Sequence, residues 1–365
     1  MEVSPAAVEC NVRFLLRHLK PGTQLMAVVK ADGYGHGAVT VARAALQGGA
    51  SSLGVATLQE GMELREAGIS APILLLSALH SRDGLVHCHQ QRLMPTLSSL
   101  DEASICNQIG AEQGGPPFPV QLKVDTGMSR LGADWCTGAA LVEQIRSMPH
   151  LRLVGLYSHL ACADVENDAT TQLQQQRLHA VIQALPDQGR GLCCHLANSA
   201  GTLRDSTLHL DMVRVGLALY GQRPAPHLGA DLPLQPALAV KARVSLVRTV
   251  PSGTGVSYGH RHITAQESRL AVVAIGYADG VLRALSGKIH VLHQGCPLPQ
   301  VGSITMDQIV LDASSRPNIK VGDTVTLLGR DGDASIHPQD WAQHCDSISW
   351  EILCGFRKRL PRVEI

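Results

Sequence analysis

An alternation of two textures constrains this chain more than any other feature. From residue 26 to about residue 220, short apolar runs are separated by segments whose apolar residues recur at three- and four-residue spacing, the pattern of successive β–α units. The runs predict strands at residues 26–29, 53–56, 73–76, 93–96, 120–124, 153–157, 192–196 and 212–215. Segments 38–46, 58–67, 139–148 and 171–185 between them read as amphipathic helices. Eight strands, each followed by a helix, close into a (β/α)8 TIM-like barrel, here assigned to residues 1–222. A doubly wound open sheet has the same periodicity and stays open as an alternative.

Pro224, Pro226, Pro233 and Pro236 crowd residues 223–236, which read as an interdomain linker. Beyond them the texture changes. Residues 237–250, 269–275, 288–294, 305–311 and 323–328 are β-rich runs between Gly, Pro and Asp turns, and only 337–344 reads as helical. Residues 237–365 are therefore expected to form a mostly antiparallel β domain.

At 365 residues, 45% hydrophobic and 17% charged, the chain has the length of two domains and the composition of a soluble globular protein. Lys plus Arg and Asp plus Glu both total 31, which removes any electrostatic case for nucleic acid or a membrane surface and favours a small-molecule substrate. Arg13 and Arg17 interrupt the apolar positions of the amino terminus, and the longest nearly apolar stretch, 69–79, is too short to span a bilayer. Ten cysteines without an export signal, with no Cys-x-x-Cys and no zinc-ligand spacing, read as reduced thiols. The expectation is a cytoplasmic protein without a metal site.

In a barrel, chemistry collects at the carboxyl ends of the strands. The first strand leads to Lys30, followed by the glycine-rich turn Ala31-Asp32-Gly33-Tyr34-Gly35-His36-Gly37. A lysine between an apolar strand and such a turn sits where burial lowers an amine's pKa, the state needed for a Schiff base with an aldehyde cofactor. A solvated lysine at a strand end is the plain alternative. The fifth strand gives Lys123, Asp125 and, on its loop, Arg130; the sixth gives His159; the seventh gives His195, Asn198 and Ser199; the eighth gives Arg214 and Gly216. His159 alone reads as an ordinary loop histidine, and Asn198-Ser199 as a helix cap, although a cap is also an anion site. Arg214, between Val213 and Val215, must find an acceptor. Jointly these positions suit a planar, phosphorylated aldehyde: an amine to bind it, an imidazole against its ring, an arginine for its ring nitrogen and small residues for its phosphate. Pyridoxal 5'-phosphate satisfies all four.

Over nearly its whole length the chain resembles the alanine racemases, barrel-type (fold type III) pyridoxal-phosphate enzymes. The resemblance rests on seven segments in order: residues 27–37 around Lys30, 123–132 from Lys123 to Gly132, His195 to Ala200, Arg214 to Gly221, Val256-Ser257-Tyr258-Gly259, Ile275 to Gly280, and Gly302 to Asp307. It implies a two-base racemase supplying D-alanine for bacterial peptidoglycan. Lys30 would hold the cofactor and act on the D-alanine face, and Tyr258, from the other subunit of a homodimer, on the L-alanine face. Opposite faces of a planar carbanion are most simply served by two catalysts. Bringing a tyrosine from its ordinary pKa of about 10 to near 7 takes about 4 kcal/mol, which neighbouring cations must supply. The resemblance gives that task to a chain from Arg214, which also faces the pyridine nitrogen, through His159.

It further implies that Arg130 and the backbone N–H of Met306 hold the substrate carboxylate, and that Tyr34, Asn198, Ser199, Gly216 and Leu217 bind the cofactor. Tyr277 narrows the entrance, and the lysine matching Lys123 is often carbamylated. The sequence departs from the family twice. Members usually begin several residues earlier with a β segment belonging to the second domain, so the start at Met1-Glu2-Val3 predicts that segment to be shortened, at a cost in stability. Some members also carry a phosphate-binding tyrosine before a terminal Arg-x-Pro-Arg, where this chain has Lys358 before Arg359-Leu360-Pro361-Arg362. A pyridoxal-phosphate-binding homeostasis protein would share the barrel and the lysine but end near residue 220. A barrel-type decarboxylase would need a Glu-Pro-Gly-Arg phosphate segment that does not occur here. Within racemases, a serine or broad-specificity enzyme is the nearest rival.

Overall fold

The computed structural model describes residues 1–356 and 358–365 and divides into two compact units: residues 6–33 with 38–235, and residues 1–5, 34–37 and 236–365. The strands up to residue 220 are β1 (Glu2–Val3), β2 (Gln24–Val28), β3 (Ser52–Val55), β4 (Ile73–Leu75), β5 (Met94–Leu97), β6 (Phe118–Asp125), β7 (Ala133–Asp134), β8 (Leu151–Tyr157), β9 (Cys193–His195) and β10 (Met212–Val215). In the larger unit β2, β3, β4, β5, β6, β8, β9 and β10 pair in parallel in that order. β10 then returns to β2, Met212 facing Gln24 and Val215 facing Ala27. The ring is closed, so the open-sheet alternative, which needs two edge strands, is excluded. Each of the eight predicted strands lies within one or two residues of its observed place. β3, β4 and β10 are buried at every position, as parallel strands covered on both faces must be.

Several of the helices that follow strands begin at a side-chain cap. Thr57, Ser81, Ser99 and Asn198 each accept an N–H of the first helical turn of the helices Leu58–Glu66, Arg82–Gln90, Leu100–Gln113 and Ser199–Arg204. The amino-terminal helix Pro5–His18 contributes a fully buried amide. Asn11 Nδ2 donates to the carbonyls of Leu219 (2.9 Å) and Gln235 (2.8 Å), and its Oδ1 accepts the Gln235 N–H at 2.7 Å. Residues 221–237, the proline-rich passage, form neither helix nor strand.

The smaller unit is mostly antiparallel, Glu2 and Val3 of β1 pairing in parallel with Val363 and Glu364. Its strands are β11 (Leu238–Val250), β12 (Gly255–Val256), β13 (His262–Ile263), β14 (Ser268–Val273), β15 (His290–His293), β16 (Cys296–Val301), β17 (Ile309–Asp312), β18 (Thr324–Asp331), β19 (Ala334–Ile336) and β20 (Val363–Glu364). β11, β14, β17, β16, β15 and β18 pair in that order and β18 closes on β11, so this sheet also forms a ring. The amino-terminal β segment is the two-residue β1: Glu2 pairs with both Ala239 and Val363, and the Met1 amino group donates to Pro361 O at 2.9 Å. Two expectations are corrected here. β16 was hidden by Pro297 and Pro299. Gln300 donates toward the β15 side, so both prolines place their missing N–H on the other side, where β17 pairs only with Gln300 and Val301. A second helix, Ser349–Gly355, joins Pro338–His344. Among the described residues no helix is long and apolar enough to cross a membrane.

Replacing Asn11 by Ala leaves the buried Leu219 carbonyl and the part-buried carbonyl and N–H of Gln235 without their partner. We expect a loss of roughly 1–3 kcal/mol, read as a lower urea midpoint with an unchanged slope.

Candidate active site

The residue after β2 and Val29 is Lys30, and the backbone beyond it is unusual. Ala31, Asp32, Gly33 and Tyr34 all have φ between 53° and 60°. A left-handed turn costs roughly 1–2 kcal/mol for each residue bearing a side chain, and only one of these four is glycine. Such strain persists where surrounding bonds hold it. Here Gly33 N–H donates to Val29 O at 2.9 Å, and Asp32 Oδ1 accepts the Ala38 N–H at 3.0 Å. Tyr34, at the end of the turn, is buried, and burial pushes its phenol well above the ordinary range, Cys354 adding to the effect.

The other predicted barrel residues gather at the same end of the strands. Arg214 in β10 is buried, and its terminal nitrogens lie within hydrogen-bond distance of His195 Nδ1 (2.9 Å), His159 Nδ1 (3.0 Å), Ser158 O (2.7 Å) and Leu196 O (3.0 Å). Guanidinium only donates, so both imidazoles accept at Nδ1 and carry their proton on Nε2. For His195 that proton points to Gln121 Oε1 at 2.8 Å. Burial, with Arg214 beside them, holds His159 and His195 well below their ordinary pKa. Arg214 itself is lowered to about 10 by burial and stays a cation at neutral pH.

Tyr157, the last residue of β8, is the platform for these charges. Its ring stacks on His195 at 4.7 Å, with Arg214 Cζ 5.0 Å and Lys123 Nζ 5.5 Å from its centroid. Thr96 Oγ1 donates to Leu75 O at 2.6 Å and so accepts from the Tyr157 hydroxyl at 2.7 Å. Lys123 is lowered to about 8, by burial first and then by Arg214, Arg130 and Lys30, with Asp125 opposing. Burial alone would raise Asp125, but N–H bonds from Gly127, Ser129 and Met128, together with Lys123, bring it below the usual carboxylate value. Those bonds shape the loop that presents exposed Arg130. The site is thus a concentration of positive charge that an anionic ligand would relieve.

Ser199 and Gly216 follow the carboxyl ends of β9 and β10. Ser199 Oγ accepts the N–H groups of Gly216 (3.0 Å) and Ala218 (3.3 Å), while Asn198 Oδ1 caps the Ser199–Arg204 helix through Gly201 N–H at 3.0 Å. Gly216 and Leu217 lead into the short helix Leu217–Tyr220. Loops after the seventh and eighth barrel strands with a short extra helix are where barrels bind phosphate. Among the described residues no cluster of His, Cys, Asp and Glu could hold a metal ion.

In the smaller unit, Tyr258, Met306 and Tyr277 are 77%, 52% and 39% exposed. Residues 305–308, expected to begin a strand, form a turn before β17 instead, and this turn carries Met306. Ser257 has φ 61° and ψ −171°, a region used almost only by glycine. A clasp holds it: Ser257 Oγ donates to Ser303 O at 2.7 Å and Ser303 Oγ to Tyr258 O at 2.8 Å. Tyr277 N–H donates to Thr305 O (2.9 Å) and Ala278 N–H to Met306 O (3.0 Å). The approach is so close that a Cβ on Gly276 would collide with both carbonyls. Arg359 pairs with Asp279 and Asp307 beside these turns.

The comparisons with known proteins agree over the whole chain. The family model "Alanine racemase, N-terminal domain" matches residues 3–224, and "Alanine racemase, C-terminal domain" matches 237–364. The chain belongs to the alanine racemase family. It is 56% identical to the alanine racemase of Prochlorococcus marinus and 51% to that of a Nostoc species, covering all of this chain and 95% of each relative. Among solved structures, alanine racemase from Streptomyces lavendulae superposes with a TM-score of 0.93 at 37% identity, over 100% of this chain and 96% of that one. The Bacillus anthracis enzyme with bound L-Ala-P gives 0.91 at 34%, over 100% and 94%.

Sequence reasoning missed Tyr157 and Gln121, which contact His195 and, for Tyr157, Arg214. Tyr157 reads as the apolar end of a strand, and only the closed ring reveals that inward positions on β6, β8, β9 and β10 meet. The lowered histidines have a consequence for stability. Below about pH 6.5 the unfolded chain protonates His159 and His195 while the folded chain does not, so stability falls as pH drops through this range. Each contributes up to about 1.4 kcal/mol per pH unit. Calorimetric unfolding near pH 5.5 in buffers of different ionisation enthalpy should register proton uptake, and His195→Asn should take up about one proton fewer.

Proposed function

We propose that this chain interconverts L-alanine and D-alanine by a two-base mechanism, with pyridoxal 5'-phosphate held by Lys30. The observation that carries the reading is the cation cluster of Lys123, Arg130 and Arg214 beside Lys30, together with Ser199, whose Oγ accepts two N–H groups and leaves its own hydrogen to donate. Phosphate, ring nitrogen and substrate carboxylate each have a complementary group, so the residues fit the cofactor. Lys30, Tyr34, His159, Asn198, Ser199, Arg214, Gly216 and Leu217 would hold it. When bound, it supplies an electron sink that stabilises the carbanion left when the substrate loses its α-proton.

The protein's own residues then divide the work. Lys30 removes or returns the proton on the D-alanine face, and Tyr258 of the partner subunit does so on the L-alanine face. Arg214, a permanent cation at neutral pH, keeps His159 in the Nε2–H form and so offers a donor toward that phenol. Arg130 and the backbone N–H of Met306 of the partner subunit hold the substrate carboxylate, and Tyr277 of the partner subunit narrows the entrance. Lys123, at about 8, has a neutral fraction able to add carbon dioxide, and the carbamate would anchor Arg130. A homodimer is supported by the exposure of Tyr258, Met306 and Tyr277, apolar groups that a second copy would cover. The role we assign is D-alanine supply for peptidoglycan, in the cytoplasm.

The test is proton NMR of L-alanine in heavy water with cofactor-loaded protein, followed by chiral analysis. Loss of the α-proton with accumulation of D-alanine is expected; exchange without D-alanine, or none at all, would overturn the assignment. Two variants divide the roles. After borohydride reduction and peptide mapping, Lys30→Ala should lose the cofactor label that the parent carries at this position. Tyr258→Phe should slow α-proton exchange from L-alanine by at least about a hundredfold while affecting D-alanine much less, and equal losses would contradict two bases.

A further inference from the structure

Glu60 reaches two successive barrel loops at once. It is the third residue of the helix Leu58–Glu66, where its Oε2 accepts the N–H groups of Ala56 (2.7 Å) and Thr57 (3.1 Å). Thr57 Oγ1 accepts the Glu60 N–H in return at 3.2 Å. That is a complete capping box, and it uses one carboxylate oxygen. The other, Oε1, accepts the N–H of Ala31 at 2.7 Å, across 29 positions of sequence. Ala31 directly follows Lys30 and is the first residue of the left-handed turn.

The Ala31 N–H belongs to the peptide plane whose carbonyl is that of Lys30. Holding this plane sets ψ of Lys30, and with it the direction in which the lysine leaves the backbone. The bond is solvent-exposed, so it steers this peptide plane without by itself offsetting the strain of the turn. Asp32 braces the other side of the turn, accepting the Ala38 N–H.

We infer that Glu60 is a positioning residue for Lys30: it couples the loop after β3 to the lysine turn and holds the amine on line for proton transfer. The inference rests on the reading of Lys30 as the catalytic lysine. Its physical core, that Glu60 holds the peptide between Lys30 and Ala31 in place, is independent of which reaction the chain performs.

The experiment is hydrogen–deuterium exchange on the cofactor-loaded full chain, read separately at peptides covering 30–37 and 58–66, with kcat and KM for alanine alongside. Thr57→Ala removes half of the capping box and leaves the Ala31 bond, so only 58–66 should lose protection and kcat should stay within about twofold. Glu60→Ala should raise exchange at both peptides and lower kcat at least about tenfold with KM nearly unchanged, since a misplaced acid–base group costs turnover more than binding. Should that variant not fold, Glu60→Gln, which keeps a single acceptor oxygen, should move the same readouts in the same direction by less. Unchanged exchange at 30–37 in a folded Glu60 variant, or matching effects of Thr57→Ala and Glu60→Ala on kcat, would overturn the inference. A parent protein that does not racemise alanine but shows the exchange pattern would instead sink the functional reading and leave the brace standing.

Discussion

The buried guanidinium of Arg214 is the constraint on which the barrel site depends. Taking such a charge out of water costs several kcal/mol unless every donor finds a partner. Its strongest electrostatic neighbours are Tyr157 and Cys193 rather than a carboxylate, and its bonds run to neutral imidazoles and to backbone carbonyls beyond β8 and β9. Those acceptors define where the ends of three strands lie. They also define protonation: both histidines are forced to accept, and so stay neutral and deliver their proton from the opposite nitrogen. The charge is solvated by protein dipoles yet left uncancelled, and Lys123, Arg130 and Lys30 sit around it. A site built in this way is completed by an anion.

Strain marks the two candidate bases in both units. Lys30 precedes a run of left-handed residues and Tyr258 follows a serine in a glycine-like conformation. In both places side-chain hydrogen bonds from elsewhere hold the backbone, Glu60 and Asp32 in one and Ser303 in the other. Proton transfer tolerates little positional error, and a strained turn held from outside is stiffer than a relaxed one.

Much of this was legible in the residues. The eight apolar runs marked the barrel strands because parallel strands buried on both faces need nothing but apolar side chains, and three- and four-residue spacing marked the helices. Lys30, Arg214 and the Ser199 segment stood out because each is costly or unhelpful in an ordinary core. Other elements were hidden for identifiable reasons. β16 carries two prolines whose cost vanishes only because of which side its neighbour occupies. The turn at 305–308 reads as strand because its residues suit one, and Glu60 looks like a capping residue because it is one, its second oxygen having no local signature.

The sequence by itself determined what depends on composition and spacing: two units, a β/α alternation, the chemical types gathered at strand ends, and membership in the alanine racemase family. Tertiary structure decided what depends on closure. Only when β10 returns to β2 do residues far apart in sequence share one interior, and only then do burial and neighbouring charge set which groups are protonated. Pair interactions fall off within a few ångströms, so the order of residues along the chain specifies the groups, whereas the folded distances specify their state.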